Sequence, residues 1–129
     1  VGAASGLNIV LKTIINPDEE VVIFAPYFLE YNWYVKNYDG KVVQAPTDKE
    51  TFYPDLDAFE GLITEKTRAV IINTPNNPSG IVYSRETIEK LAQILYAKQE
   101  EYGHDIFLIS DEIVNTVVED NTVLKHFNY

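Results

Sequence analysis

The chain has 129 residues, of which 46% are apolar and 23% charged, a composition typical of one globular domain and not of a disordered or fibrous protein. Twenty acidic against ten basic residues give a net charge of −10, which argues against nucleic acid as a partner. The absence of cysteine excludes disulfides, thiolate metal sites and thiol nucleophiles, and the two histidines, without metal-binding spacing, predict no metal centre.

Nothing in the sequence indicates export or a membrane. The first residues, VGAASGLNIV, contain no basic segment followed by a long apolar run and a cleavage site, and no apolar run approaches the length of a membrane span. We therefore expect a cytoplasmic protein that does not bind a membrane. Because the chain begins without methionine and ends on LKHFNY without an obvious cap, we also expect a piece of a larger protein.

Helix and strand patterns alternate along the chain. Apolar residues at helical spacing from Leu7 to Ile14 predict the first helix, and YFLEYNWYVKNYDG predicts a second one closed by Gly40. Pro54 is expected to open a third helix and Ser84 to cap the fourth. Short apolar runs of the kind buried on both faces of a parallel sheet predict four strands: EVVIFAP, KVVQAP, RAVIIN and DIFLIS.

This alternation predicts an α/β domain of three layers, with helices on both faces of a mainly parallel sheet. No repeat or linker divides residues 1–129, so we expect no internal domain boundary. Ligands of such sheets bind beyond the carboxyl ends of the strands. Three segments follow predicted strands and should meet there: Pro26-Tyr27-Phe28, Asn73 to Gly80, and Ser110-Asp111-Glu112.

Small residues at the start of the first helix add an anion site to this edge. In GAASG, residues 2–6, backbone N–H groups at a helix N-terminus favour an anion, and small side chains let it approach closely. Together with aromatic, amide and carboxylate side chains, this suits an aromatic, phosphate-bearing molecule that has a hydrogen-bonding oxygen and a basic nitrogen. Pyridoxal phosphate meets each of these demands.

Four segments in this order, GAASGL, APYF, NTPNNPSG and SDEI, make the chain resemble the fold type I, class I/II aminotransferases related to aspartate aminotransferase. The resemblance extends over residues 1–129 and implies a part of the large, cofactor-binding domain. It also implies pyridoxal phosphate as cofactor, a homodimer, and transfer of an amino group from an amino acid to a 2-oxo acid. Each segment alone is a weak signal, but the ordered set is specific.

The resemblance implies cofactor contacts for six residues. Asp111 would pair with the pyridine nitrogen and hold it protonated, Asn77 would donate to the 3′ oxygen, and Phe28 would stack on the ring. The phosphate would lie at the backbone N–H groups of the first helix, at Gly2, Ala3 and Ala4.

Each assignment has a structural alternative. Asp111 could cap the segment after its strand, Asn77 could be a turn residue with a left-handed backbone, and Phe28 could belong to the core. The aromatic residues between Tyr27 and Tyr38 could likewise meet a second subunit or be covered by their own chain. Pro26 and Pro78 match positions where the family can use cis peptide bonds.

The sequence departs from the family pattern at two important places. Val114 stands where the family commonly has a tyrosine that contacts the 3′ oxygen, and valine cannot donate a hydrogen bond. No lysine, including Lys125, lies in the Ser-x-x-Lys-like context of the family's Schiff-base lysine. We therefore expect no catalytic residue in this chain and no transamination by the chain alone.

Two further interpretations of the function remain open. The same fold and cofactor also serve carbon–sulfur lyases and decarboxylases, so they do not fix the reaction. A non-catalytic remnant or ligand-binding domain would retain the pocket without the lysine. A nucleotide-binding Rossmann domain is disfavoured, because no Gly-x-Gly-x-x-Gly follows any predicted strand.

Overall fold

The computed structural model describes residues 2–112, in which helices and strands alternate strictly. The helices are α1 (Ala3–Ile14), α2 (Tyr31–Lys36), α3 (Leu56–Leu62) and α4 (Arg85–Tyr102). The strands are β1 (Glu20–Phe24), β2 (Lys41–Ala45), β3 (Thr67–Asn73) and β4 (Phe107–Asp111). The order of the elements along the chain is the order expected from the sequence.

The four strands form one parallel sheet in the order β2-β1-β3-β4. In the middle of the sheet Val22 is in register with Val43 on one side and with Val70 on the other. At its carboxyl edge, Asn73 is in register with Asp111. The prediction of a parallel α/β sheet is confirmed.

Alternate residues of the central strands face opposite layers of helices. Val22 and Val70 belong to a core cluster with residues of α3 and α4, whereas Val21 and Ile71 belong to a second cluster with residues of α1 and α2. Because successive side chains of a strand point to opposite faces, one strand can serve both clusters. This arrangement gives the three layers of the predicted α/β/α fold.

Only the central strands are buried as the sequence predicts. β1 and β3 are buried along almost their whole length, but β2 and β4 are more exposed, and Phe107 is 44% exposed. Within residues 2–112, β2 and β4 are the two edge strands of the sheet, so each has a neighbour on one side. The apolar run alone does not distinguish a central strand from an edge strand.

The prediction that Pro54 opens the third helix is wrong by two residues. α3 begins at Leu56, and Asp55 is its N-cap, whose side chain accepts a hydrogen bond from the Ala58 N–H at 3.0 Å. Pro54 lies outside the helix, in an isolated antiparallel bridge with Thr47. A carboxylate that can satisfy a free N–H of the first turn is the stronger signal of the helix start.

Gly40 does not have the role predicted for it. The second helix ends at Lys36, and Asp39 adopts the left-handed backbone, with φ of 57°. A Cβ on Gly40 would lie 2.9 Å from Val35 Cγ1 and 3.2 Å from Ile15 Cγ2. The glycine is therefore required for close packing and not as a left-handed helix cap.

The prediction for the fourth helix is confirmed. Ser84 is the N-cap of α4, and its Oγ accepts a hydrogen bond from the Thr87 N–H at 3.1 Å. The helix ends at Tyr102 and is capped by Gly103, whose φ of 71° only glycine adopts readily. No helix in residues 2–112 combines the length and the apolar character needed to cross a bilayer.

Candidate cofactor site

The carboxyl ends of β3 and β4 bring Asn73 and Asp111 side by side. They are paired residues of neighbouring parallel strands, and Asn73 Nδ2 donates a hydrogen bond to the Asp111 carbonyl oxygen at 2.7 Å. The loop that contains Asn77 follows β3 directly, at this same edge. The position of these residues is the one expected for ligand-binding residues of a parallel sheet.

The Asp111 carboxylate is held by a tyrosine from another element. Tyr31, the first residue of α2, donates from its hydroxyl to Asp111 Oδ2 at 2.6 Å. The Tyr31 side chain is 1% exposed, and burial, followed by the hydrogen bond to Asp111, raises the pKa of Tyr31 far above its usual value. Tyr31 therefore stays protonated and acts as the donor of this hydrogen bond.

Phe28 lies next to this pair. Its ring packs edge-on against Tyr31, with the ring centroids 5.7 Å apart and the planes at 82°. The ring is half-buried at the border of the core cluster that contains Tyr31, and is not one of that cluster's buried members. A partly exposed aromatic ring can contact a planar ligand, whereas a ring enclosed in the core could not.

Asn77 is exposed in the loop after β3, while the neighbouring Asn76 is buried. Asn76 forms the turn: its Oδ1 accepts hydrogen bonds from the Ser79 N–H at 3.1 Å and the Ser79 hydroxyl at 2.7 Å. The left-handed position of this loop is Gly80, with φ of 75°. The turn chemistry proposed as the alternative for Asn77 is thus provided by its neighbours.

The main chain of Asn77 is nevertheless fixed. Its N–H donates to Asn73 Oδ1 at 2.6 Å. The peptide bonds before Pro26 and Pro78 are cis, as the family pattern allows, and the bond before Pro75 is cis as well.

The first helix presents free N–H groups at the same edge of the sheet. Because α1 is followed closely by β1 and packs on the sheet, we expect the helix to run back along the strands, with its N-terminus toward their carboxyl ends. Gly2 is the N-cap with no side chain to satisfy the first turn, and no atom lies within 4 Å of the position where its Cβ would be. The first N–H groups of a helix have no acceptor within the helix, so Ala3 and Ala4 offer donors to an anion.

Comparisons with known proteins identify the family. A sequence profile described as "Aminotransferase class I and II" matches residues 1–125. The chain belongs to the class I and II aminotransferase family. A probable aspartate/prephenate aminotransferase of Thermus aquaticus is 34% identical over 129 residues, 99% of this chain and 31% of the relative. An aromatic-amino-acid aminotransferase of Thermococcus litoralis is 37% identical over 93% of this chain and 30% of its own length.

Solved structures of aminotransferases share the fold. An aminotransferase of Eubacterium rectale superimposes with a TM-score of 0.89 at 45% identity, over 93% of this chain and 30% of that protein. A Thermus thermophilus aspartate aminotransferase superimposes with a TM-score of 0.79 at 36% identity. The chain thus spans about a third of the length of the relatives that it matches.

Membership of the class I and II aminotransferase family implies pyridoxal phosphate as cofactor, and the residues present fit this molecule. A carboxylate, Asp111, suits the basic ring nitrogen, and the half-exposed Phe28 ring suits the planar ring. The uncapped start of α1 suits the phosphate. Within residues 2–112, Tyr31 bonds to one oxygen of the Asp111 carboxylate, Oδ2.

The structure links three of the six predicted residues. Asp111 contacts Tyr31 and Asn73, Phe28 contacts Tyr31, and Asn77 contacts Asn73. The start of α1, with Gly2, Ala3 and Ala4, shares the edge through the topology and not through a direct hydrogen bond to this network.

Sequence analysis missed the roles of the two connecting residues. Tyr31 was noted only as part of an aromatic segment, and Asn73 only as the first residue of a loop motif. In the sequence, Tyr31 is marked only by its position three residues after Phe28. In the structure, its N–H donates to the Phe28 carbonyl at 3.1 Å, and this bond starts the helix. Val114, Lys125 and His126 lie outside the described residues.

A concave surface lies at the amino edge of the sheet, opposite the edge that holds Asn73 and Asp111. This groove of about 580 Å³ is lined by residues that include Arg68, His104, Asp105 and Phe107. The Arg68 guanidinium is already paired with the Glu19 carboxylate at 2.8 Å. None of the residues that line this groove is among the predicted cofactor contacts, and the charge of Arg68 is balanced by Glu19.

Proposed function

We propose that this chain forms the central part of the cofactor-binding domain of a pyridoxal-phosphate-dependent aminotransferase. The intact protein would transfer an amino group between an amino acid and a 2-oxo acid. The observation that carries the proposal is the Asp111 carboxylate, fixed by the Tyr31 hydroxyl at 2.6 Å at the carboxyl edge of a parallel sheet. The names of the relatives, aspartate/prephenate and aromatic-amino-acid aminotransferase, support the same reaction class.

Asp111 would hold a proton on the ring nitrogen. A carboxylate within hydrogen-bonding distance favours the charged form of a basic nitrogen, and it does so more strongly where water is excluded. Pyridoxal phosphate, when bound, supplies an electron-withdrawing ring that weakens the bonds at the substrate's Cα. Asp111 would thus control the electronic state of the ring, while Tyr31 keeps the carboxylate in place.

Asn77 and Phe28 would orient the ring. The Asn77 side-chain amide is exposed at the carboxyl edge and can donate to the 3′ oxygen of the cofactor. Phe28 would cover one face of the ring and exclude water from it, since planar rings stack favourably in offset geometry.

Gly2, Ala3 and Ala4 would bind the phosphate through their main chain. The charge of the phosphate is favourable at the positive end of α1, and the open space above Gly2 admits the group. No hydroxyl or cationic side chain occupies these three positions, so additional phosphate contacts would come from other parts of the protein. The lysine that holds the cofactor would also lie outside this sequence.

The proposal includes a homodimer in the cytoplasm. Support for a second subunit comes from apolar side chains of α1, α2 and the segment before α2: Ile9, Leu29 and Trp33 are 63%, 72% and 66% exposed. Exposed aromatic and aliphatic residues are enriched at subunit interfaces. The aromatic segment is therefore divided, with Tyr31 buried in the chain's own core and Trp33 left at the surface.

The reaction is tested with the intact protein, pyridoxal phosphate, a ¹⁵N-labelled amino acid and an unlabelled 2-oxo acid. Aminotransfer predicts ¹⁵N in the amino acid formed from the 2-oxo acid. Release of ¹⁵N-ammonia with a thiol would instead show a carbon–sulfur lyase, and release of carbon dioxide a decarboxylase. Cofactor binding without turnover would show a non-catalytic domain.

A further inference from the structure

Asn73 is a buried amide that the proposed function does not use directly. It is 7% exposed and ends β3. Its side chain makes two hydrogen bonds, both to main-chain atoms: Nδ2 donates to the Asp111 carbonyl at 2.7 Å, and Oδ1 accepts from the Asn77 N–H at 2.6 Å. The two residues that it joins are those proposed to contact the ring nitrogen and the 3′ oxygen.

We propose that Asn73 is a positioning residue whose side-chain amide fixes Asn77 relative to Asp111 and so sets the spacing of the two groups that hold the cofactor ring. That these two groups bind the ring of pyridoxal phosphate rests on the proposed function. The link itself is a property of this chain and exists without a ligand.

The chemistry of the two partners requires an amide at this position. A peptide N–H can only donate and a peptide carbonyl can only accept, so the side chain between them must offer one acceptor and one donor. The same two partners determine the orientation of the Asn73 amide, with Nδ2 toward the Asp111 carbonyl and Oδ1 toward the Asn77 N–H. An ionised aspartate at position 73 would keep the bond from the Asn77 N–H. It would lose the bond to the Asp111 carbonyl, because its second carboxylate oxygen would face that carbonyl oxygen and repel it.

Among the residues that the structure describes, the Asn73 side chain is the connection between the loop and β4. The remainder of the loop is held by bonds to itself or to the segment before α4: Asn76 accepts from Ser79, and Thr74 Oγ1 accepts from the Tyr83 N–H at 2.9 Å. These bonds shape the loop without fixing it to Asp111. A loop of fixed shape still needs one anchor to hold Asn77 at a set distance from the neighbouring strand.

Amide hydrogen exchange of the ¹⁵N-labelled intact protein, the parent of all variants below, tests the link without cofactor. We expect the Asn77 amide to exchange slowly in the parent and roughly tenfold or more faster in Asn73→Ala, while the Ile71 amide in the middle of β3 is unchanged. Unprotected exchange at Asn77 in the parent would overturn the proposal. So would unchanged protection in Asn73→Ala.

A charged isostere separates positioning from a general loss of structure. Asn73→Asp keeps the acceptor for the Asn77 N–H, so Asn77 should remain protected even if Asn73→Ala fails to fold. Asn76→Asp is the matched control, because Asn76 is equally buried at 8% exposed and both of its side-chain bonds are accepted by Oδ1. Its bonds therefore survive the change.

Titration with pyridoxal phosphate then compares the two aspartate variants. We expect Asn73→Asp to weaken affinity by about tenfold or more, and Asn76→Asp to change it by less than about twofold. Equal affinities of Asn73→Asp and the parent would overturn the positioning role. If the parent binds no cofactor, the proposed function fails for this chain, whereas the exchange of Asn77 still decides whether the link exists.

Discussion

The Tyr31 hydroxyl and the Asp111 carboxylate lie 2.6 Å apart, although they are 80 residues apart in the sequence. Tyr31 is buried at the start of α2, and Asp111 ends β4. The bond therefore connects the two halves of the described chain across the sheet. Among residues 2–112, this tyrosine bonds to Oδ2 and not to the second oxygen of the carboxylate.

Replacing Tyr31 with phenylalanine should loosen Asp111. We expect Tyr31→Phe to lower the free energy of unfolding by about 1–2 kcal/mol, because a hydrogen bond to a charged group is lost with little change in volume. Pyridoxal phosphate affinity should fall as well, since the carboxylate is no longer held. Denaturant unfolding and calorimetric titration measure the two effects.

Tyr34→Phe is the matched control for this change. The Tyr34 hydroxyl also donates to a carboxylate, that of Glu30 at 3.0 Å, but at an exposed position. Its loss should change the unfolding free energy by less than about 0.5 kcal/mol. Equal effects of the two variants would contradict the special role given to the buried pair.

Buried tyrosines should make the fold sensitive to alkali. Burial raises the pKa of Tyr83 to about 12, and it raises the pKa of Tyr31 further. Above the unfolded value of about 10, the unfolded chain releases these protons and the folded chain keeps them. Stability is thus fully present below about pH 10 and falls by about 1.4 kcal/mol per pH unit for each such tyrosine above it.

Tyr83→Phe should flatten this dependence between about pH 10 and pH 12, because phenylalanine does not titrate. Unfolding curves at a series of pH values measure the slope. Tyr96→Phe serves as the control, since the Tyr96 side chain is 66% exposed. A slope that is unchanged in Tyr83→Phe would show that Tyr83 is not buried as described.

Gly40→Ala and Gly61→Ala should have opposite effects on stability. At Gly40 the new methyl group would lie 2.9 Å from Val35 Cγ1, so we expect a loss of about 1–3 kcal/mol. At Gly61, inside α3, no atom lies within 4 Å of the new Cβ, and we expect a gain of about 0.5–1 kcal/mol. Thermal unfolding of both variants decides whether the tight contact at Gly40 exists.

The cap of α4 offers a further test of the fold. Ser84→Ala should destabilise the chain by about 1 kcal/mol, because the Thr87 N–H loses its acceptor. Ser84→Asp keeps an acceptor and should retain the parent's stability. A destabilised Ser84→Asp variant would argue against capping as the function of this serine.

Much of the fold follows from local sequence patterns. The runs in β1 and β3 were predicted because a strand buried on both faces must be apolar throughout. The positions of Pro54 and Gly40 misled the prediction because each lies next to the residue that acts, Asp55 at a helix start and Asp39 at a turn. Which of two neighbouring residues caps a helix or forms a turn depends on hydrogen bonds and contacts that the pattern of apolar and polar residues does not show.

The site was only partly predictable. Asp111 and Asn77 were selected because four family-like segments occur in order, and the structure places both at the carboxyl edge. Tyr31 and Asn73 were missed because their partners are distant in the sequence, 80 and 38 residues away for the contacts with Asp111. Those contacts depend on the strand order β2-β1-β3-β4, which the alternation of elements does not fix.

Calorimetric titration of the intact parent protein and of its Asp111→Asn and Asp105→Asn variants with pyridoxal phosphate tests the central proposal most directly. Asn at position 111 can still accept the Tyr31 hydrogen bond, so the fold is kept while the charge is lost. Asp105→Asn makes the same change at the opposite edge of the sheet. We predict that the parent binds, that Asp111→Asn binds about tenfold or more weakly, and that Asp105→Asn matches the parent. Equal affinities of the parent and Asp111→Asn would contradict the assignment of Asp111 to the ring nitrogen.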